Sequence, residues 1–237
     1  MTAGGRVSAS ALLACAIVLG AGVGGFLLHR LTKPEGETLR AVAASPPSTA
    51  AAQATAAAPA PATATPEQLP EISLPDVAGR PHRLSEWRGR PLFINFWATW
   101  CEPCRREIPL LKSLRMENAK TRLEIVGIAL DQQQSVQEFV QKLGIEYPVL
   151  VGEKGGLEAV SAFGMDTVLP FTVVADSEGR IVTIKVGELH RDEATFILAR
   201  LADLSAGRID LAAAREQIGA ETRRLARQRA GSGGPGG

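Results

Sequence analysis

Cys101 and Cys104, three residues apart, carry the most reactive pair of side chains in this 237-residue sequence. A thiolate attacks a disulfide, and a second thiol one helical turn away attacks the mixed disulfide that results. The spacing therefore suits a two-electron dithiol couple. A C-x-x-C pair also serves zinc sites and small structural disulfides. Zinc asks for two further ligands, usually a second pair. The remaining candidates are Cys15, in an apolar stretch near the N-terminus, and the scattered His29, His82 and His190. A structural disulfide across so few residues closes too small a loop to stabilise much. Redox chemistry is the reading these residue types support best.

The flanking residues supply the elements that position the pair. Leu92 to Phe96 is an apolar run rich in the types that suit a buried strand. Ile108, Leu111 and Leu114 then recur at helical spacing, which predicts a helix over residues 102–119, kinked at Pro109. Cys101 falls where the strand ends and the helix begins, where unpaired N–H groups and the macrodipole favour thiolate over thiol. That makes Cys101 the nucleophile and Cys104, one turn further in, the resolving thiol. Glu107 shares Cys104's side of the helix, and a solvated carboxylate pairing with Arg105 or Arg106 is its alternative role.

Around this unit the sequence alternates strands and helices. Ile72 to Leu74 and His82 to Leu84 flank a hairpin turn at Asp76-Val77-Ala78-Gly79. A strand is expected over 123–130, and a helix opened by a capping box at Ser135-Val136-Gln137-Glu138 and stopped by Gly144. A short strand over 147–151, a short helix over 157–163, and strands over 171–175 and 181–186 follow. The last two are joined by Asp176-Ser177-Glu178-Gly179, and a helix over 192–204 closes the series. The pattern argues an α/β domain with a mixed sheet.

Phe96-Trp97-Ala98-Thr99-Trp100-Cys101-Glu102-Pro103-Cys104 resembles the active site of the thioredoxin superfamily, and most closely that of membrane-anchored TlpA/ResA-like thiol–disulfide oxidoreductases. The likeness runs over residues 69–204. It implies a thioredoxin-like fold with an N-terminal hairpin and a central helix–strand insert, and a redox disulfide between Cys101 and Cys104. It also implies a proton-handling role for Glu107 and a cis-proline at Pro170 that packs beside the cysteines and meets the substrate chain. Asn95 stands where thioredoxin itself has a buried aspartate, which leaves Glu107 as the leading proton carrier. The implied clients are disulfide-containing exported proteins, such as apocytochrome c or copper-site assembly proteins. Electrons would come from a membrane thiol donor, because no flavin or nicotinamide site is visible and no cofactor is expected. A copper-binding chaperone on the same fold, a disulfide-forming oxidant, a peroxidase and a tethered binding module are the alternatives.

The formal net charge of +1 argues against a nucleic-acid partner, and three cysteines are too few for a disulfide scaffold. From Val7 to Leu28 no residue is charged, long enough for a helix to span a bilayer core. The expected organisation is a short cytoplasmic end (1–6), a transmembrane anchor (7–29) and a flexible Ala/Pro/Thr-rich linker (30–68). The thioredoxin-like domain (69–205) and a basic, partly disordered tail (206–237) complete it. Arg30, Lys33 and Arg40 after the span lean towards a cytoplasmic domain. The resemblance implies the reverse, with the redox domain in the periplasm on the inner membrane, and an oxidising compartment suits a tethered dithiol. Leu211, Ile218 and Leu225, seven apart, allow one more helix, expected as a fraying extension.

Overall fold

The structure, a computed structural model, describes residues 65–232. The expected anchor and all but the last residues of the linker lie outside them. Among the described residues no helix is long and apolar enough to cross a membrane.

Strands β1 (Ser73–Pro75) and β2 (Pro81–Arg83) form a separate antiparallel hairpin. A 3₁₀ turn (Leu84–Trp87) leads to β3 (Leu92–Trp97) and the helix α1 (Glu102–Glu117). Strand β4 (Glu124–Ala129), helix α2 (Gln133–Leu143), strand β5 (Val149–Val151) and helix α3 (Gly156–Ala162) come next. The chain closes with β6 (Phe171–Ala175), β7 (Ile181–Val186), α4 (Arg191–Ser205) and α5 (Leu211–Ser232). Five strands form one sheet in the order β5-β4-β3-β6-β7, with β3, β4 and β5 mutually parallel and β6 and β7 antiparallel to their neighbours. This is the mixed sheet of a thioredoxin-like fold, with α2, β5 and α3 between its halves.

Every residue of β3, β4 and β6 is buried, because both faces of the sheet are covered. Phe93 and Trp97 face the side packed by α1, α2, α4 and α5, while Leu92, Ile94 and Phe96 face the side packed by α3 and the hairpin. Phe96 stacks on Phe171 with centroids 4.3 Å apart. Both hairpin turns read Asp-x-x-Gly-Arg and fold alike. The Asp76 and Asp176 carboxylates each accept backbone N–H bonds from two and four residues on, and each glycine takes a positive φ.

The structure differs from expectation in three places. Helix α2 starts at Gln133, two residues before the capping box, because Glu153 accepts the Gln133 N–H and Gln134 engages Glu138 instead. The domain begins ahead of residue 69, since Gln68 bridges Arg180 and Ile181 N–H donates to Glu67 O at 2.8 Å. Residues 211–232 are one long helix rather than a fraying tail: Ala214 and Ile218 are fully buried, Leu225 nearly so.

Candidate active site

Cys101 caps α1. Its sulfur accepts the Cys104 N–H at 3.3 Å, in the extended backbone conformation that opens a helix. Pro103 sits in the first turn, where its missing N–H costs nothing. The two cysteines form a disulfide with Cα atoms 5.3 Å apart. Cys104 is wholly buried and Cys101 is 5% exposed, so an incoming thiol or disulfide meets Cys101. The helix terminus aims positive partial charge at that sulfur, favouring a thiolate there once the bond is reduced.

The loop before Cys101 is held from β4. Leu130 N–H donates to Trp97 O at 2.8 Å, and the Asp131 carboxylate accepts both the Thr99 N–H, at 3.2 Å, and the Thr99 hydroxyl. Nothing in the sequence singled out Asp131, because an aspartate ending a strand reads as ordinary turn chemistry. Trp100 projects from this loop and is 70% exposed.

Glu107 is buried to 1% exposure and pairs with neither Arg105 nor Arg106. Glu102 approaches those two arginines, and Arg106 binds Glu188 through Nε at 3.0 Å and Nη2 at 2.7 Å. The Glu107 carboxylate accepts Asn95 Nδ2 on Oε1 at 2.7 Å and the Leu189 N–H on Oε2 at 2.8 Å. Burial pushes its titration up from the usual 4.5 to about 7. The two hydrogen bonds and Lys185 pull the other way, and Glu188 adds to the rise. A carboxyl poised near neutrality, one turn from Cys104, is suited to exchanging protons with it.

Asn95 is fully buried on β3 and also donates to Thr172 Oγ1 at 3.1 Å, while its Oδ1 has no hydrogen-bond partner among the described residues. The amide's orientation is assigned from its contacts. Turned over, Oδ1 would accept from a protonated Glu107, so Asn95 can serve either state of the carboxyl. Tyr147, its hydroxyl likewise unpartnered, is pushed up by burial and then by the charge of Glu107.

The Leu169–Pro170 peptide is cis, at the entry to β6 beside β3. Gly187 N–H donates to Pro170 O at 2.8 Å, and two residues later Leu189 bonds Glu107. One short link therefore joins Pro170 to the carboxyl, a backbone contact that no side-chain type announces. The other candidates stand elsewhere. His82 lies on β2 against Glu86 and Asp76, and His190 caps α4. His29 and Cys15 lie outside the described residues. Among the described residues no three His, Cys, Asp or Glu side chains cluster as a metal site. A cavity of about 920 Å³ opens between α4 and the end of α1, at the opposite end of β3 from the cysteines.

Residues 66–184 match the family model described as AhpC/TSA family. The thiol-disulfide oxidoreductase ResA of Geobacillus thermodenitrificans is 31% identical over 125 residues, 52% of this chain and 70% of that protein. ResA of Halalkalibacterium halodurans is 34% identical over 122 residues, 51% of this chain and 68% of that protein. Among solved structures, a secreted thiol-disulfide isomerase from Corynebacterium glutamicum aligns with a TM-score of 0.52 and 26% identity, covering 57% of this chain and 86% of that one. A thiol:disulfide interchange protein DsbE from Chlorobium tepidum also gives a TM-score of 0.52, over 58% of this chain and 98% of that one. At 23% identity, that second match speaks for the fold alone.

Proposed function

The chain belongs to the AhpC/TSA family and is a ResA-like thiol–disulfide oxidoreductase, and on that premise we propose that it reduces disulfides in exported proteins. The observation that carries this reading is the buried Glu107, bonded to Asn95 and Leu189 one turn after Cys104. In the reduced enzyme the Cys101 thiolate attacks one sulfur of a client disulfide, and the other client sulfur leaves as a thiolate. The Cys104 thiol passes its proton to the Glu107 carboxylate and attacks Cys101. This closes the Cys101–Cys104 disulfide and releases the client with two electrons gained. A membrane thiol donor returns those electrons by the same exchange in reverse.

The cis-Pro170 edge is the surface on which an extended client segment lies, next to Cys101 and the exposed Trp100. Residues 7–29 act as the membrane anchor and the Ala/Pro-rich stretch after them as a spacer. Together they place residues 65–232 on the periplasmic side, within reach of exported proteins such as apocytochrome c. The charge-free run from Val7 to Leu28 supports the anchor. Replacing Cys104 by Ser tests the order of events. The variant should accumulate a covalent mixed disulfide at Cys101 with a disulfide-bearing substrate protein, visible by mass spectrometry. Trapping by Cys101→Ser instead would reverse the assignment.

A further inference from the structure

The link between β7 and α4, residues 187–190, touches the active site at three points. Gly187 N–H holds Pro170 O, the Glu188 carboxylate takes Arg106 of α1, and Leu189 N–H bonds Glu107. A backbone donor is only as well placed as the segment that carries it. Much of what fixes this segment comes from outside it. His190 N–H donates to Glu193 Oε2 at 3.0 Å, and Lys185 Nζ donates to Glu188 O at 3.1 Å while standing 3.7 Å from Glu193 Oε1.

Glu193 is fully buried, a costly place for a carboxylate without opposite charge. A second cation reaches it from the far end of α5: Arg229 Nη1 lies 3.1 Å from Glu193 Oε1, and Nη2 donates to Asp192 Oδ1 at 2.7 Å. At the other end of α5 the Arg215 guanidinium donates to Ile181 O at 3.1 and 2.7 Å, where β7 begins. Helix α5 thus grips the β7–α4 unit at the start of each element, seated by Ala214, Ile218 and Leu225. The family match ends at residue 184, so α5 lies wholly outside it.

We propose that Arg229 and Glu193 are positioning residues for the active site: through their ion pair, half-buried on the arginine's side, α5 holds the link whose Leu189 N–H bonds Glu107. Without Arg229, Glu193 is a buried carboxylate short of a cation. The start of α4 then relaxes towards water and draws His190 and Leu189 with it. The Leu189 hydrogen bond favours ionised Glu107, so weakening it moves the carboxyl's titration upward. The other groups around Glu107 are Arg106 on its own helix, Lys185 and Glu188, His190 and Arg191 at the start of α4, and Tyr147. The substitution reaches Glu107 through the start of α4, where His190 and Arg191 move with Leu189, and the weakened Leu189 hydrogen bond sets the direction.

The inference rests on Glu107 as the titrating group of the site, and the test separates the two. In the full-length oxidised protein carrying ¹³C-labelled glutamate carboxyls, the Glu107 resonance, identified by its loss in Glu107→Gln, is followed against pH. Arg229→Gln should raise its midpoint by about 0.5–1 pH, an effect typical of one weakened hydrogen bond to a carboxylate. Glu193→Ala, which removes the acceptor of the His190 N–H and the anchor of Arg229, should move it the same way, and Arg229→Lys should restore most of the wild-type value. Arg224→Gln, which breaks the exposed pair with Glu221 on the same helix and removes a charge facing Asp192 but no contact to Glu193, should leave it unmoved. A lowered melting temperature with an unchanged midpoint in both Arg229→Gln and Glu193→Ala would overturn the proposal. A moved midpoint with an unchanged pH profile of disulfide exchange would uphold the positioning and remove Glu107 from the chemistry.

Discussion

Replacing Glu107 by Gln should make the oxidised protein more stable at neutral and alkaline pH. Burial raises the carboxyl from 4.5 to about 7. At about 1.4 kcal/mol per pH unit of displacement, the folded state is penalised by about 3 kcal/mol when the group ionises. The sign follows from proton counting. Between pH 4.5 and 7 the folded protein keeps a proton that the unfolded chain has lost, so stability falls as pH rises through that window and levels off above it. His82 works in the same direction, since Glu86 chiefly holds it above 6.5 and its contribution is lost as pH rises through that raised value. The substitution removes the first effect and keeps the second, so the difference between the two proteins isolates Glu107. The glutamine oxygen can accept the Leu189 N–H, and its amide nitrogen can donate to Asn95 Oδ1 once that amide turns over. An imperfect fit there offsets about 1 kcal/mol. A net gain of about 2 kcal/mol is expected at pH 8, turning into a loss of somewhat under about 1 kcal/mol at pH 4.5 where only the imperfect fit remains, measured as urea midpoints at constant slope. Parallel pH profiles for the two proteins would refute the reasoning.

Two further substitutions probe the supports of the site. Ile218→Ala removes a fully buried side chain from α5 and should cost about 2–4 kcal/mol in denaturant unfolding; a loss under about 0.5 kcal/mol would mean the helix is not docked. Asp131→Ala strips the Thr99 N–H and hydroxyl of their shared acceptor and should cost about 1–3 kcal/mol. It should also slow disulfide exchange by Cys101, and an unchanged exchange rate would show that the loop holds its shape unaided.

Much of this architecture was legible because its signals are local. Strands β3, β6 and β7 are apolar runs bounded by turn residues, and the structure begins and ends β6 and β7 at the expected residues. The placement of Cys101 at a helix start followed from the same boundary. Residues that depend on distant partners were harder to read. Ser135 to Glu138 has the composition of a helix start, but Glu153, twenty residues on from Gln133, sets the actual one. The apolar stripe of α5 is thin, and what docks it includes Arg215 and Arg229, whose partners on β7 and α4 no spacing rule reveals. Glu107 sits among charged neighbours and reads as a surface carboxylate unless Cys104 draws attention to its face. Its burial is fixed by Asn95, twelve residues back, and by a backbone N–H eighty-two residues on.

The most direct test of the account is the reduction potential of the Cys101–Cys104 couple in the full-length protein, equilibrated against defined thiol–disulfide buffers. A disulfide reductase of exported proteins requires a value near or below about −250 mV. A value near about −120 mV would contradict the account and mark the same site as a donor of disulfides.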